Sequence, residues 1–233
     1  MHMQQPLRGF SLIEVVLAVG IFSLITVTLA GLWLSTSRSS LKALEADSAL
    51  GVITYLQATL QEAAEKRPHF IEALHKQLSR SDAQGIVQLF AYQVVTEEKK
   101  LPLKTHLLLK DASAAQALGL PAFTSAALEE VHASGRAPFF RIVLSASSAN
   151  PPTTLETTGD GRTPTVAQAR IGAEPLALFR FRPLDTTPYS KGYLALNVRI
   201  YAEPLPRLQG TWQPDTHSSP SNRVMSYDLG LTY

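Results

Sequence analysis

The sequence predicts an α+β protein: a long N-terminal helix, apolar in its first half and amphipathic in its second, packed on an antiparallel β-sheet head. Three observations predict it. The run from Phe10 to Leu34 is apolar except for one charge, Glu14, and is long enough to cross a bilayer as a helix. Beyond it, apolar residues keep rough three- and four-residue steps, and no proline occurs from Phe10 to Arg67. The end of the chain instead alternates apolar and polar residues with the period of two that marks half-buried antiparallel strands. A helical stripe followed by two-periodic strands is the pattern of an α+β fold.

The first helix should run from Phe10 to about Ala64, roughly 80 Å at 1.5 Å per residue. Leu41, Leu44, Ile53, Leu56 and Leu60 carry its second-half stripe, and Pro68 supplies the stop, because the residue before a proline is pushed out of the helical region. Gly20 and Gly31 in the apolar half permit close helix approach or local melting, although glycine is common in membrane helices generally. A second helix is expected from Pro68 to Leu78, with Pro68 in its first turn and Phe70, Ile71, Leu74 and Leu78 on one side.

Strand formers then dominate Gly85 to Thr96 and, more weakly, Leu103 to Leu109. Ser125 to Ala133 reads as a helix capped by Thr124 or Ser125. Phe139 to Ser145 reads as a strand, and Leu176 to Arg182 alternates less cleanly. Leu194, Leu196, Val198 and Ile200 share a face opposite Asn197 and Arg199. In the final strand Met225, Tyr227, Leu229, Leu231 and Tyr233 oppose Ser226, Asp228 and Thr232. Two long polar loops, 145–165 and 203–222, hold much of the proline. Loops of this length are functional or disordered. Neither reads as a domain linker, and no internal repeat is visible.

Composition bounds the function. The 233 residues suffice for one ordinary domain beyond an anchor. The chain has no cysteine, which removes disulfides, thiol nucleophiles and cysteine-based metal sites together. A formal net charge of +2 gives no reason to expect strong electrostatic binding of nucleic acid.

Glu14 is the most informative residue. A carboxylate facing lipid at mid-bilayer costs about 2.5–3.5 kcal/mol on insertion scales, so a lone intramembrane acid is read as functional. Just before the run stand Arg8 and Gly9. The stretch Arg8-Gly9-Phe10-Ser11-Leu12-Ile13-Glu14-Val15 resembles the leader and mature start of type IV prepilins and of type II secretion pseudopilins. The resemblance covers about Leu7 to Leu34. It implies cleavage between Gly9 and Phe10 by a prepilin peptidase and N-methylation of Phe10 by the same enzyme. It also implies that Glu14 meets the terminal amine of a neighbouring subunit as a fibre grows. An ammonium and a carboxylate are each costly in hydrocarbon, and pairing offsets much of that penalty. With the leader gone, the net charge falls to +1 through loss of Arg8.

Two plainer readings compete. A secretory signal peptide has a core of about 7–15 residues and a small-residue cleavage site, and Leu32-Trp33-Leu34-Ser35-Thr36 is a poor one. A plain anchor with a chance glutamate explains neither Gly9 nor the spacing from Phe10 to Glu14.

Candidate chemistry in the head is thin. Glu156 and Asp160, beside Thr158-Gly159-Asp160-Gly161, offer two carboxylates where calcium needs about six to eight oxygens, so a simple turn is the preferred reading and calcium the alternative. His69 and His75, with Glu72 between them, are six apart and do not share a helix face as zinc ligands would; a solvated helix accounts for them. Ser145-Ala146-Ser147-Ser148 lacks the glycines of a nucleophile elbow. Trp212 and Tyr189 either contact a partner or cap the edge of the core. Arg180, Arg182 and Arg199 form either a basic outer stripe or, by default, a solvated sheet face.

The resulting expectation is a leader at 1–9, a transmembrane and fibre-core helix at 10–36, and a periplasmic α+β head at 37–233 that includes the amphipathic half of the long helix. The chain is read as a non-enzymatic pilin-like subunit without a cofactor. Its partners are the prepilin peptidase, other pilin or pseudopilin subunits and inner-membrane lipid, with no nucleic acid. Its size, its loops and the lack of the cysteine loop common in major pilins favour a minor subunit or pseudopilin, an inference by family analogy. Charge alone leaves orientation open, since Arg8 precedes the span and Arg38 and Lys42 follow it. The reading from another class is a single-pass anchored periplasmic binding protein or enzyme that never polymerises.

Overall fold

A computed structural model describes residues 11–80, 85–94, 104–133, 138–156, 170–171, 174–175, 179–182, 192–203 and 223–232. The chain divides into two units, Met1–Leu44 and Glu45–Tyr233. Helix α1, Leu12–Lys66, contributes its first part to one and its second part to the other.

In the first unit the described part of α1 is exposed throughout, and its large apolar side chains, such as Phe22 and Trp33, face outward. The second unit is built around the rest of α1. Ala49, Val52, Ile53, Leu56, Leu60, Ala63 and Ala64 are buried at three- and four-residue steps. The buried stripe therefore starts at Ala49. Leu44, expected in it, is 61% exposed, and the side chain of Leu41 lies outside the described residues. Pro68, which has no N–H to continue the ladder, follows the end of α1. A turn with Phe70 N–H donating to Arg67 O (2.9 Å) then leads into helix α2, Phe70–Ser79. Pro68 lies before that helix rather than in its first turn. Phe70, Ile71, Leu74 and Leu78 are buried as their spacing predicts.

The sheet has five strands in the order β2-β1-β3-β6-β7, all antiparallel: β1 Ile86–Val94, β2 Lys104–Leu109, β3 Phe139–Ala146, β6 Tyr193–Glu203 and β7 Arg223–Thr232. A separate hairpin pairs β4, Arg170–Ile171, with β5, Glu174–Pro175. One sheet face carries Val87, Leu89, Phe140, Ile142, Leu144, Leu194, Leu196, Val198, Ile200, Leu229 and Leu231, which join α1 and α2 in a single apolar core. Each such side chain contributes about 1.5–3 kcal/mol on burial.

The other face is covered as well. Helix α4, Ser125–Ala133, packs Val131 and Ala127 against Phe90, Tyr92, Leu108 and Phe139. Phe90 stacks on Phe139 at 5.5 Å and meets Phe123 at 5.1 Å. Thr124 caps α4, its Oγ1 accepting from Ala127 N–H (3.3 Å).

Three expectations need correction. Helix α3, Ala112–Leu118, had no counterpart in the sequence reading; Asp111 caps its start and Gly119, at φ 60°, ends it in the left-handed region. Leu176–Arg182 forms no strand among the described residues. Phe179 and Phe181 instead make isolated bridges to Ala146 and Leu155. The outward face of β6 is not solvated: Asn197, Arg199, Tyr201 and Glu203 are all buried. The proposed basic outer stripe therefore dissolves. Arg199 is inside, Arg180 is half-buried beside Glu156 (3.6 Å), and only Arg182 is exposed.

Candidate functional site

Of the three residues the sequence singles out, Glu14 lies among those described, while Gly9 and Phe10 lie outside them. Ser11 stands immediately before α1 and Glu14 is its third residue. They form a reciprocal capping box. Glu14 N–H donates to Ser11 Oγ (3.3 Å), and Ser11 N–H donates to Glu14 Oε2 (3.1 Å). Val15 N–H donates to Ser11 O (3.2 Å), closing the first turn. The carboxylate thus sits at the positive end of the helix dipole, where a negative charge is favoured. Its other oxygen, Oε1, has no partner among the described residues, and the side chain is exposed. Chemically this is a fixed anion with one oxygen open to a cation.

The helix that follows is long and apolar enough, by length and composition, to cross a membrane. Four of its hydroxyls are satisfied internally. Ser23 Oγ donates to Val19 O (2.8 Å), Thr26 Oγ1 to Phe22 O (2.8 Å), Thr28 Oγ1 to Leu24 O (2.6 Å) and Thr36 Oγ1 to Leu32 O (2.9 Å). A Cβ added at Gly20 or Gly31 would meet nothing within 4 Å, so packing inside the chain does not require either glycine.

The secondary candidates fare differently. His69 is exposed and lies 3.6 Å from Glu72. His75 is not solvated as expected: it is 1% exposed, lies 4.7 Å from Phe181 ring to ring, and burial pushes its pKa down to about 4. Ser145 and Ser147 are buried. Ser147 belongs to a turn in which Asn150 Nδ2 donates to Ser147 O (2.9 Å) and Ala195 O (2.6 Å), while Ala195 N–H donates to Asn150 Oδ1 (3.0 Å). Asp160, Tyr189 and Trp212 lie outside the described residues. Among the described residues no three His, Cys, Asp or Glu side chains gather as a metal site would require.

Two polar clusters escaped the sequence reading. On the buried face of β3 and β6, Arg141 Nη2 lies 2.5 Å from Glu203 Oε1, and its guanidinium sits 5.9 Å from the centre of the Tyr201 ring. Arg199 Nε donates to Asn197 Oδ1 (3.2 Å), and Asn197 Nδ2 donates to Asp228 Oδ1 (3.1 Å). The available signal was Arg141 inside the apolar string FFRIVLSA, at a position where a solvated face would have needed more polar neighbours. On the α4 side, Tyr92 Oη donates to Glu130 Oε2 (2.7 Å) and stacks on His106 at 4.9 Å. Burial, then the Glu130 carboxylate, raises the Tyr92 pKa beyond the ordinary phenol range.

No family model, no curated protein and no solved structure matches this chain.

Proposed function

We propose that the chain is a prepilin-like subunit, a minor pilin or pseudopilin. In this reading a prepilin peptidase cuts it between Gly9 and Phe10 and methylates the Phe10 amine. The α+β head with its long N-terminal helix is then a pilin-like head on the periplasmic side of the bacterial inner membrane. The subunit joins a type IV pilus or type II secretion-like fibre and carries out no catalysis of its own.

The observation that carries this reading is Glu14: a carboxylate in the first turn of α1, ahead of an exposed apolar stretch, with one oxygen unpartnered among the described residues. Solvent-exposed apolar surface on this scale asks for lipid or another protein as cover. A methylated amine from a neighbour would complete the coordination of Glu14 and remove most of the cost of carrying the charge into that cover. The five-strand antiparallel sheet packed on the second part of α1 fits a head of this kind.

The test is the intact mass and N-terminal residue of membrane-extracted protein made with and without a prepilin peptidase. The expected product begins at methylated Phe10 only when the enzyme is present, and Gly9→Val blocks its formation. Glu14→Ala should leave the protein cleaved and membrane-bound but absent from fibres. A chain still beginning at Met1 in the presence of active peptidase refutes the reading.

A further inference from the structure

The exposed apolar stretch of α1 has a polar marker at each end. At its start stands Glu14, held in the capping box with Ser11. From Val15 to Leu32 every residue is apolar or glycine except Ser23, Thr26 and Thr28, and those three hydroxyls donate within the helix. Trp33 comes next. It is 77% exposed, and among the described residues no acceptor meets its indole N–H, so it is the first side chain past Glu14 with a donor left over. After Leu34 the sequence turns to Ser35-Thr36-Ser37-Arg38-Ser39-Ser40. The whole stretch lies in the first unit.

Glu14 and Trp33 are nineteen residues apart on one helix. At 1.5 Å per residue that is roughly 28 Å, close to the ~30 Å hydrocarbon core of a bilayer. Tryptophan collects at the membrane–water boundary, where its ring lies against acyl chains and its N–H reaches headgroup and water oxygens. We propose that lipid covers this stretch in a fixed register: Trp33 anchors α1 at the headgroup level of one leaflet, and Glu14 lies at that of the other. The length match is what favours lipid, since a protein neighbour sets no such limit on an apolar surface and a bilayer does. The midpoint falls between Ser23 and Leu24. Ser23 and Thr26 thus lie near the bilayer centre, where an unpaired hydroxyl is most costly, and both are paired. The stretch between the markers sets no depth of its own, so its two ends do. Before assembly Glu14 then rests at a polar boundary, and its charge enters apolar surroundings only when the helix leaves the bilayer for a fibre. The register rests on the membrane-spanning part of the proposed function, and not on cleavage at Gly9 or on fibre formation.

The chain has two tryptophans, so full-length protein carrying Trp212→Phe reports on Trp33 alone. It is reconstituted into phosphatidylcholine vesicles whose acyl chains carry bromine, a contact quencher, either near the headgroup or near the terminal methyl. The expected result is stronger quenching of Trp33 by the shallow bromine, at a depth about 14 Å from the bilayer centre, half the span between the two markers. Adding Trp33→Phe and Leu24→Trp moves the probe to the midpoint and should reverse the order. A second readout separates an anchor from a passenger and needs no change at Trp212. The chain has no cysteine, so Ser35→Cys takes a single environment-sensitive dye. Trp33→Leu should let that site sink into hydrocarbon and shift the dye emission to shorter wavelength, while Trp33→Tyr, which keeps an amphipathic ring, should hold it in place. Trp33 quenched as strongly by deep as by shallow bromine, or a Ser35→Cys dye unmoved by Trp33→Leu, overturns the proposal and leaves the membrane span standing. No quenching by either lipid overturns the span as well.

Discussion

Glu203→Gln should destabilise the second unit strongly. The side chains of Arg141 and Glu203 are 0% and 2% exposed, with Nη2 and Oε1 2.5 Å apart. Two charges so placed have lost their hydration, and they are stable there because each neutralises the other. Glutamine keeps the volume and one acceptor oxygen but removes the negative charge beside the buried guanidinium. Breaking a buried pair from one side costs about 3–5 kcal/mol. For a domain of about 150–250 residues each kcal/mol shifts Tm by about 2–4 °C, so the loss should be roughly 6–20 °C. The assay is a far-UV circular dichroism melt of the full chain in detergent, wild type against variant. The double variant Arg141→Met with Glu203→Leu should recover most of the loss, since apolar replacement of a whole buried pair is often neutral. A Glu203→Gln melt within about 2 °C of wild type would refute the reasoning.

Three further outcomes are expected. His75 is held neutral by burial, with its pKa down at about 4 against 6.5 in the unfolded chain, so its contribution is complete above pH 6.5 and is lost as pH falls from 6.5 towards 4. Urea titrations across that window should show a loss of up to about 1.4 kcal/mol per pH unit that His75→Leu abolishes. Asn150→Ala leaves the Ala195 N–H without its acceptor; it should cost about 1–3 kcal/mol and speed hydrogen exchange at the start of β6, which mass spectrometry reads directly. Gly119→Ala combines a φ of 60° with a clash against the Arg67 guanidinium, which hydrogen-bonds Leu118 O (2.6 Å) and Gly119 O (3.0 Å). The strain alone costs about 1–2 kcal/mol. Gly119→Asn tolerates that φ but still meets Arg67, so equal urea midpoints for the two variants would assign the loss to the clash.

Sequence periodicity revealed most of the architecture and misread the places where burial overrode polarity. From Met225 onward β7 alternates because one of its faces is covered, so period two was visible. β6 is covered on both, and its Asn197, Arg199 and Glu203 read as solvent-facing because polar residues are seldom buried without partners. Asn197 meets Asp228 on β7 and Glu203 meets Arg141 on β3, and no local pattern announces these partners. His75 was misplaced for the same reason: a polar residue on a short helix, buried beside Phe181, which arrives from more than a hundred residues away. Helix α3 is too short and too rich in alanine to show a period, yet its end signals, Asp111 and Gly119, were present in the sequence. Glu14 was legible because a charge in an apolar run needs no periodicity to be noticed. Its capping partner Ser11 was also within view, three residues upstream, in the S-x-x-E spacing of a helix start.

The hydroxyls of α1 have a consequence for how that helix is handled. Ser23, Thr26, Thr28 and Thr36 each donate to a carbonyl one turn back, so none of these four hydroxyl protons is left to bind a particular neighbour. Described residues 15–32 therefore present an apolar surface with no side-chain hydrogen-bond donor left over. Such a rod can turn and shift against whatever surrounds it at little energetic cost. Between Leu12 and Leu32 Glu14 is the one charged residue, so a single carboxylate serves as both address and stop for that stretch.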